Sequence, residues 1–506
     1  MMKPVRILLL DVNRISLDTT IDMLEYPLGL IFVATSIKKA FGDKTVIRIE
    51  SYDDKKDTLM SVKSLFEEFK PDILGLRSLT MGQKPLHEIA TLAKDTCNIP
   101  FVIAGGPHAT DSPENVLNNP SFDCAVIGEG EETAVDLVAK FLADESLDSV
   151  AGIAVPSSQG IRYTAPRPLI EDLDRIPKPD YRLIDFQGIN RGHVDFSFRL
   201  NVPHSNLFSS RGCPYKCIYC HHVFGKRFRA HSPERLMEEI GTLHDEHGIT
   251  NFQIIDDIFN LDRKRAMRFF EMVVRSNMNL VFSFPNGLRG DRVDEEMVDA
   301  MWEAGVRYIA YAVETASPRV QKLIQKHLDL DRIKEAISLS TAKGILTRGF
   351  FMIGFPTETE EEALMTIEYA KSSDLVLSMF FTVVYFPGTP LYRLAQKMSR
   401  ISDFNLGLEE DYVRTREGPY AFTRQTLEEL KLKAIREFFF SDKRLHASFD
   451  IMPNFFNQRD IDASMLVNII SGKITENDIK NPLFARKLHR YFLIANRFSE
   501  KEGFFV

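Results

Sequence analysis

The feature that most limits the fold of this chain is a long alternation of apolar strand patterns with amphipathic helix patterns. Short apolar runs predict strands at 5–10, 46–50, 73–76, 101–104 and 124–127. Between them, apolar residues spaced three and four apart predict helices at 28–40, 60–68, 84–94 and 132–142. Strands and helices that alternate in this way build a parallel sheet covered by helices. We therefore expect an N-terminal α/β domain of the flavodoxin/Rossmann-like type.

A second run of the same alternation follows a proline-rich interruption. The interruption carries Pro156, Pro166, Pro168, Pro177 and Pro179, as expected of a linker. Strands are then predicted at 206–209, 252–255, 281–284, 308–313, 347–353 and 380–385. Six successive strand and helix units indicate a partial (β/α)6 barrel of the TIM-like type.

Beyond this region the strand signals fade, and the pattern predicts helices, including 427–440 and 483–498. A chain of 506 residues has the length of about three domains. We expect an N-terminal domain, a linker, the barrel and a helical C-terminal domain, with the boundaries 1–147, 148–200, 201–398 and 399–506.

Charge and apolar runs limit the partners. A net charge of -8 and a pI near 5.9 provide no general attraction for phosphate backbones, so we expect a small-molecule substrate and no nucleic acid. No apolar run approaches the roughly 20 residues that a membrane-spanning helix needs, and the first residues do not resemble a signal peptide. We expect no membrane span and a cytoplasmic location.

Three of the five cysteines, Cys213, Cys217 and Cys220, lie within eight residues, directly after a predicted strand. Thiolates suit iron–sulfur clusters and zinc, and three of them leave one iron of a four-iron cluster without a protein ligand. The alternative is a structural zinc site with His221 or His222 as the fourth ligand. The other two cysteines lie beside apolar stretches and are predicted to be buried structural thiols.

The CxxxCxxC spacing, with Tyr219 before the last cysteine, resembles the radical S-adenosylmethionine (SAM) superfamily. In that family SAM binds the free iron, and one electron cleaves it to methionine and a 5'-deoxyadenosyl radical. The resemblance implies a 4Fe-4S cluster held by Cys213, Cys217 and Cys220, with Tyr219 beside SAM. It also implies an electron donor such as flavodoxin or ferredoxin.

Later segments resemble the family positions that surround SAM. Asp256 and Asp257 end the second predicted barrel strand, Glu314 ends the fourth and Arg348 begins the fifth. The resemblance implies that these four residues bind SAM. The alternatives are a helix cap for one aspartate and a surface salt bridge for Arg348.

Two turns, at 354–359 and 387–392, also resemble the family, although Thr357 replaces its usual glycine. In the motif after the fourth strand, Thr315 and Ala316 replace the usual Ser-Gly. Lys322 and Lys326 fit a solvated helix face.

Two glycine-rich loops follow the fourth and fifth predicted strands of the N-terminal domain and resemble a cobalamin-binding domain. Glycine lets the backbone approach a large flat ligand, and ligands of open parallel sheets lie at the carboxyl ends of the strands. The resemblance implies cobalamin contacts from Ser78, Thr80, Gly105, Gly106, His108, Gly128, Glu129 and Gly130. An alternative is a docking module with an empty pocket.

The loop that usually supplies a histidine to cobalt, Asp-x-His-x-x-Gly, reads Asp-Val-Asn-Arg-Ile-Ser at 11–16. The resemblance therefore leaves the lower face of cobalt to another side chain, to water or to nothing.

Taken together, these motifs are similar to the cobalamin-binding class B-type radical SAM methyltransferases. The resemblance implies methylation of an unactivated carbon of a small-molecule or natural-product substrate, with cobalamin as the methyl carrier. The alternatives are a radical rearrangement, cyclisation, dehydration or hydroxylation, with or without cobalamin. Methylthio transfer to transfer RNA is disfavoured because no second cysteine cluster and no basic tail are present. A non-enzymatic alternative is a zinc-stabilised binding scaffold.

Overall fold

The computed structural model of the protein describes residues 3–14, 27–53, 57–185, 203–221, 223–386, 388–398 and 418–439. The predicted helix at 483–498 lies outside these residues, as does most of the predicted C-terminal domain. None of the helices in these ranges is long and apolar enough to cross a bilayer.

The N-terminal sheet follows the predicted strands. Its first five strands are β1 (Val5–Arg14), β2 (Thr45–Asp53), β3 (Ile73–Arg77), β4 (Phe101–Gly105) and β5 (Cys124–Val126). They pair in parallel in the order β2-β1-β3-β4-β5, which is the order of flavodoxin-like sheets. The flavodoxin/Rossmann-like prediction is therefore confirmed.

Two further strands extend this sheet into the segment for which the sequence predicts a linker. They are β6 (Ile153–Ser157) and β7 (Gly160–Tyr163), and they add to the β5 edge as antiparallel partners. Pro156 lies in β6 and argued for a loop in the sequence. Pro156 lies beyond the residues of β6 that pair with β5 and is in register only with Ile161 of the edge strand β7, so its missing N–H interrupts no pairing with the inner strand.

Helices cover both faces of the N-terminal sheet. They are α1 (Leu28–Phe41), α2 (Leu59–Phe69), α3 (Gln83–Thr91), α4 (Gly106–Asp111), α5 (Pro113–Leu117) and α6 (Glu131–Ala143). Alternate residues of β1 point to opposite faces. Ile7 and Leu9 pack with α1 and α6, whereas Leu8 and Leu10 pack with α2 and α3. The domain thus has three layers.

The second sheet contains the six predicted barrel strands. Its first strand is β8 (His204–Leu207), which is followed by the small antiparallel hairpin of β9 (Ser210–Arg211) and β10 (Arg229–Ala230). The other strands are β11 (Asn251–Ile254), β12 (Val281–Leu288), β13 (Val306–Glu314), β14 (Leu346–Ile353) and β15 (Leu377–Thr382). All neighbours pair in parallel, in the order β15-β14-β13-β12-β11-β8.

Helices alternate with these strands. They are α7 (Pro233–His247), α8 (Arg263–Ser276), α9 (Glu295–Glu303), α10 (Pro318–Leu323), α11 (Leu330–Ala342) and α12 (Glu360–Ser372). After β15 come α13 (Pro390–Lys397) and α14 (Arg424–Phe439). Helix α14 lies on β15 and α12, where the Phe438 ring is 6.2 Å from Phe380 and Glu437 pairs with Lys371 at 2.8 Å. The α/β class is confirmed by both sheets.

The segment between the two sheets fastens one domain to the other. The Asp180 N–H donates to Thr35 on α1 at 2.8 Å, and the Tyr181 hydroxyl donates to Glu239 on α7 at 2.7 Å. Tyr181 and Glu239 are both buried. The N-terminal sheet and the second sheet are therefore held in one arrangement.

A cluster of aromatic rings forms the core under β11 and β12. Phe269 on α8 is fully buried, and its ring centroid is 6.0 Å from that of Phe259, 5.8 Å from Phe270 and 5.6 Å from Phe282. This cluster fixes α8 against the strands that carry the site.

Replacing Phe269 with alanine is expected to lower the free energy of unfolding by about 3–5 kcal/mol, because the substitution empties a space that its neighbours cannot fill. Denaturant titration measures the change. Val274→Ala, on the same helix at a position that is 42% exposed, is the matched control and is expected to cost less than about 0.5 kcal/mol. Equal effects of the two substitutions would contradict the packing described here.

Candidate functional site

The three clustered cysteines lie on the loop that joins β9 to β10, which we call the cluster loop (212–228). The loop is closed at its base by the pairing of Arg211 with Arg229. Gly212 begins the loop with φ of +81°, and a Cβ at this position would collide with the Arg227 carbonyl. Only glycine fits this start of the loop.

The thiols of Cys213, Cys217 and Cys220 are close enough to act on one another. Burial raises the pKa of Cys213, and the charges of Asp257 and Cys217 raise it further. Burial likewise raises the pKa of Cys220 to about 12, again with Asp257 and Cys217 adding to the effect. A group of three soft sulfur donors on one loop fits a four-iron cluster that keeps one iron for another ligand.

The other two cysteines lie elsewhere. Cys124 is fully buried in β5, and Cys97 is half-buried after α3. Both belong to the packing of the N-terminal domain.

Tyr219 and Glu314, which the sequence predicts at the SAM site, come together beside the thiols. The Tyr219 hydroxyl donates to Glu314 Oε1 at 3.2 Å. Glu314 has φ of +70°, a rare backbone conformation for a residue with a side chain, and such strain concentrates at functional sites. The two side chains thus form one polar group at the carboxyl end of β13.

Lys326 also belongs to this polar group, although its sequence pattern predicted a solvated helix face. Its Nζ donates to Glu314 Oε1 at 3.3 Å and lies 5.8 Å from the centroid of the Tyr219 ring. Its positive charge acts to lower the pKa of Cys213 and Cys220. Lys322, by contrast, is exposed to solvent.

The backbone around Lys326 is held by a distant arginine. Gln325 and His327 have φ of 56° and 50°. Arg289 donates to the carbonyls of Lys326 and His327 at 3.3 and 2.9 Å, and its guanidinium lies 3.6 Å from the centroid of the Tyr215 ring. Arg289 therefore connects the cluster loop to the segment that carries Lys326.

The two predicted aspartates have different surroundings. Asp256 is buried and accepts hydrogen bonds from the Ser209 N–H at 2.6 Å, from the Ser209 hydroxyl and from the Ser210 hydroxyl at 2.6 Å. Asp257 accepts from the Gly212 N–H at 3.3 Å, and burial followed by the charge of Asp256 raises its pKa to about 6. Asp256 supports the strand before the cluster loop, and Asp257 faces the thiols.

Arg348 is buried in the second sheet rather than at a surface salt bridge. Its guanidinium lies 5.3 Å from the Tyr308 ring centroid and 3.7 Å from Met379 Sδ, and burial lowers its pKa. Glu314 pairs in register with Phe351, three residues after Arg348, which corresponds to roughly 10 Å along β14. SAM binding by Arg348 stays a prediction.

The residues that depart from the family turns have local partners. Thr357 has φ of 61°, and Arg319 donates to its hydroxyl at 2.9 Å and to its carbonyl at 2.7 Å. The Thr315 hydroxyl contacts the Thr366 hydroxyl at 3.1 Å. The Ala316 N–H donates to the Thr366 hydroxyl oxygen at 3.0 Å. These contacts stabilise both turns without glycine.

A cavity of about 320 Å³ lies at the carboxyl edge of the N-terminal sheet and continues between the sheet, α1 and α6. Gly105, Gly106, Gly128 and Gly130 line it, as does Gly75 within β3. An added Cβ at Gly105 or Gly128 would meet no atom within 4 Å, so these glycines leave open space beside the backbone. An apolar cavity edged by bare backbone suits a part of a large cofactor such as cobalamin.

The second sheet closes the same cavity. Phe208, Arg211, His221, Phe224 and Asp257 line it from the side of the cluster loop. The cavity therefore lies between the glycine loops and the cysteines.

Three other residues predicted to contact cobalamin are not among those that line the cavity. Ser78 is fully buried, and its hydroxyl donates to the Leu79 carbonyl at 2.7 Å. Thr80 is also buried. His108 Nε2 lies 3.1 Å from Asn115 Oδ1, and burial lowers the pKa of His108 to about 4 although this contact acts against it.

At the edge of the cavity, the β1 segment that lacks a histidine carries an ion pair instead. Asp11 is buried, and its Oδ1 accepts from Arg77 at 2.8 Å. Arg77 also lines the cavity.

Glu129, predicted to contact cobalamin, lines the cavity, but its carboxylate is hydrogen-bonded to the base of the cluster loop. Oε1 accepts from Arg211 and Arg229, each at 2.8 Å, and Oε2 accepts from Arg229 and from the Ile170 N–H, each at 2.8 Å. Glu131 Oε1 accepts from Arg211 at 2.5 Å. Burial lowers the pKa of Arg211, but Glu131 and Glu129 raise it above its usual value. No sequence signal connects residues so far apart.

The zinc alternative requires a histidine beside the thiols. His221 Nδ1 instead pairs with Asp111 at the end of α4, and its ring lies 5.0 Å from Phe386. His222 lies outside the described residues. Within those residues, no three His, Cys, Asp or Glu side chains are grouped to hold a single metal ion.

Comparison with known proteins matches each of the two domains to a family model. The family model described as the Radical SAM superfamily matches residues 207–370, and the B12 binding domain matches 17–138. An uncharacterized methyltransferase of Pyrococcus horikoshii is 32% identical over 73% of this chain and 78% of its own. An anaerobic magnesium-protoporphyrin IX monomethyl ester cyclase of Rubrivivax gelatinosus is 25% identical over 77% of this chain and 69% of its own.

A solved structure shares the fold. It is the radical SAM methyltransferase TsrM of Kitasatospora setae, with a TM-score of 0.66 and 18% identity over 78% of this chain and 77% of TsrM. The two domain matches, the arrangement of the thiols and the glycine-edged cavity agree with one another. The chain thus belongs to the radical SAM enzymes that carry a B12-binding domain, whose cofactors are a 4Fe-4S cluster, SAM and cobalamin.

Proposed function

We propose that this enzyme methylates an unactivated carbon of a small-molecule or natural-product substrate. The observation that carries the proposal is the single cavity lined by the glycine loops of the N-terminal sheet and by the cluster-loop side. Methyl transfer to such a carbon needs a methyl carrier and a radical generator that open onto one space. A cavity that both domains line meets this requirement.

The cofactors supply the methyl group and the radical that activates the substrate carbon. The chain's own residues bind, orient and exclude water. Phe208 and Phe224 pack edge to face, with ring centroids 5.6 Å apart, and form an apolar wall of the cavity. Such a wall keeps water from a reactive radical.

We assign SAM contacts to Tyr219, Asp257 and Glu314, which surround the thiols, and add Lys326 to them. The carboxylates and the Lys326 ammonium beside the thiols offer charged partners for the amino and carboxylate groups of SAM. We assign cobalamin contacts to Gly105, Gly106, Gly128 and Gly130, because all four line the cavity and Gly105 and Gly128 border open space within it. For Asp256 and Glu129, whose oxygens are bonded within the protein, we propose a supporting role.

The name of the Pyrococcus relative, a methyltransferase, supports methyl transfer. A second candidate is radical cyclisation, which the name of the Rubrivivax relative favours. We further propose a flavodoxin or ferredoxin as the electron donor, no nucleic acid in the reaction, and a cytoplasmic location.

The two candidates differ in what they consume. The test is to incubate the anaerobically purified, reconstituted protein with hydroxocobalamin, a reductant, methyl-deuterated SAM and small-molecule extract from source cells that lack the gene. Methylation is expected to give 5'-deoxyadenosine, S-adenosylhomocysteine and one deuterated product, measured by mass spectrometry. A product without the label, formed without S-adenosylhomocysteine, would favour cyclisation and reject the methyl-transfer proposal.

A cavity-filling substitution separates the two cofactor sites. Gly105 has extended backbone angles, so Gly105→Val places a side chain in the cavity without left-handed strain. We expect loss of hydroxocobalamin binding, at least 10-fold in Kd by equilibrium dialysis, while the iron content is unchanged. Gly241→Val on α7, also in open space, is the control. Unchanged cobalamin affinity in Gly105→Val would remove the cavity from the proposal.

The cluster assignment is tested with cysteine substitutions. Cys217→Ala is expected to reduce 5'-deoxyadenosine formation to background, because the cluster loses one of three thiolate ligands. Iron content and product are measured after reconstitution. Cys97→Ala, in the N-terminal domain, is the matched control and is expected to retain both. Full 5'-deoxyadenosine formation by Cys217→Ala would show that the cluster is bound elsewhere.

A further inference from the structure

Four charged side chains, Glu129, Glu131, Arg211 and Arg229, form a buried charge cluster between the two domains. Their exposed fractions lie between 2% and 8%. Burying charges is costly unless they are paired with good geometry, so these four side chains keep their partners. Such a cluster resists the independent movement of any one member.

Each side of the buried charge cluster belongs to a different part of the site. Glu129 and Glu131 flank Gly130, and all three line the cavity. Arg211 and Arg229 are the paired residues at the base of the cluster loop. Two carboxylates on the glycine-loop side thus hold both ends of the segment that carries the thiols.

A second contact acts in the same direction. His221, which directly follows Cys220, pairs with Asp111 at the end of α4, and α4 begins at Gly106 beside the cavity. The other glycine loop is therefore also linked to the cluster loop. Both glycine loops that line the cavity are thus joined to the segment that carries the cysteines.

We propose that the buried charge cluster is a positioning device that couples cobalamin in the cavity to the cluster loop. The identity of the occupant rests on the proposed function. Coupling between two sites is reciprocal. If the bound 4Fe-4S cluster orders the cluster loop and thereby strengthens cobalamin binding, cobalamin must strengthen binding of the 4Fe-4S cluster by the same factor. This reciprocity gives a measurement that does not depend on turnover.

The experiment measures the Kd of hydroxocobalamin by anaerobic equilibrium dialysis, with and without the reconstituted 4Fe-4S cluster. For the unmodified protein, we expect about fivefold or tighter binding when the cluster is present. In Glu131→Gln, which keeps the shape and removes the charge opposite Arg211, the ratio is expected to fall to about one. Glu132→Gln is the matched control, because Glu132 lies on the same helix, is 60% exposed and pairs with Arg167 at 3.5 Å.

A merely structural role of Glu131 would lower the thermal unfolding temperature and leave the Kd ratio unchanged. If Glu131→Gln does not fold, Arg211→Lys, which keeps the charge but loses the two-pronged geometry, replaces it with the same expected ratio. The proposal is overturned by a ratio near one in the unmodified protein, by an unchanged ratio in both variants, or by an equal loss in Glu132→Gln.

The two proposals fail in different ways. If the Kd of hydroxocobalamin is the same with and without the 4Fe-4S cluster and a deuterated product still forms, the coupling proposal alone is overturned. A normal Kd ratio without a deuterated product overturns methyl transfer alone. Absence of any hydroxocobalamin binding overturns both.

Discussion

The ion pairs between Glu129, Glu131, Arg211 and Arg229 are the constraint on which the arrangement of this protein depends. They connect a glycine loop of one sheet to the base of the cluster loop of the other. Because the charges are buried, separating the domains would leave each without its counter-charge. The shared cavity and the position of the cysteines beside it both follow from this contact.

Two kinds of polar contact surround the cysteines and have different roles. Asp256 accepts hydrogen bonds from Ser209 and Ser210 and so stabilises the strand that leads into the cluster loop. Tyr219, Glu314 and Lys326 leave their polar atoms near the thiols. The first kind of contact sets the backbone, and the second presents the groups that we propose as contacts of SAM.

Much of the fold was predictable from local pattern. The strands of both sheets follow apolar runs, and the flavodoxin-like order follows from strand and helix alternation. The cysteines and Glu314 were predictable because their motifs lie at strand ends. Strands β6 and β7 were missed, because Pro156 suggested a loop where the second strand from the sheet edge forms. The partners of Glu129 could not be predicted from the sequence either, since Arg211 lies 82 residues away and no periodicity connects the two.

The left-handed residues near the thiols show what this site requires of its backbone. Glu314, Gln325 and His327 have φ of 70°, 56° and 50°, and each costs of order 1–3 kcal/mol. Glycine would remove this strain but would leave the chain freer. The chain thus gives up folding stability to fix the direction of one carboxylate and one ammonium. Substitutions that raise thermal stability at these three positions would therefore disturb the orientation of the two charged groups. Stabilising substitutions are better sought far from the carboxyl end of β13.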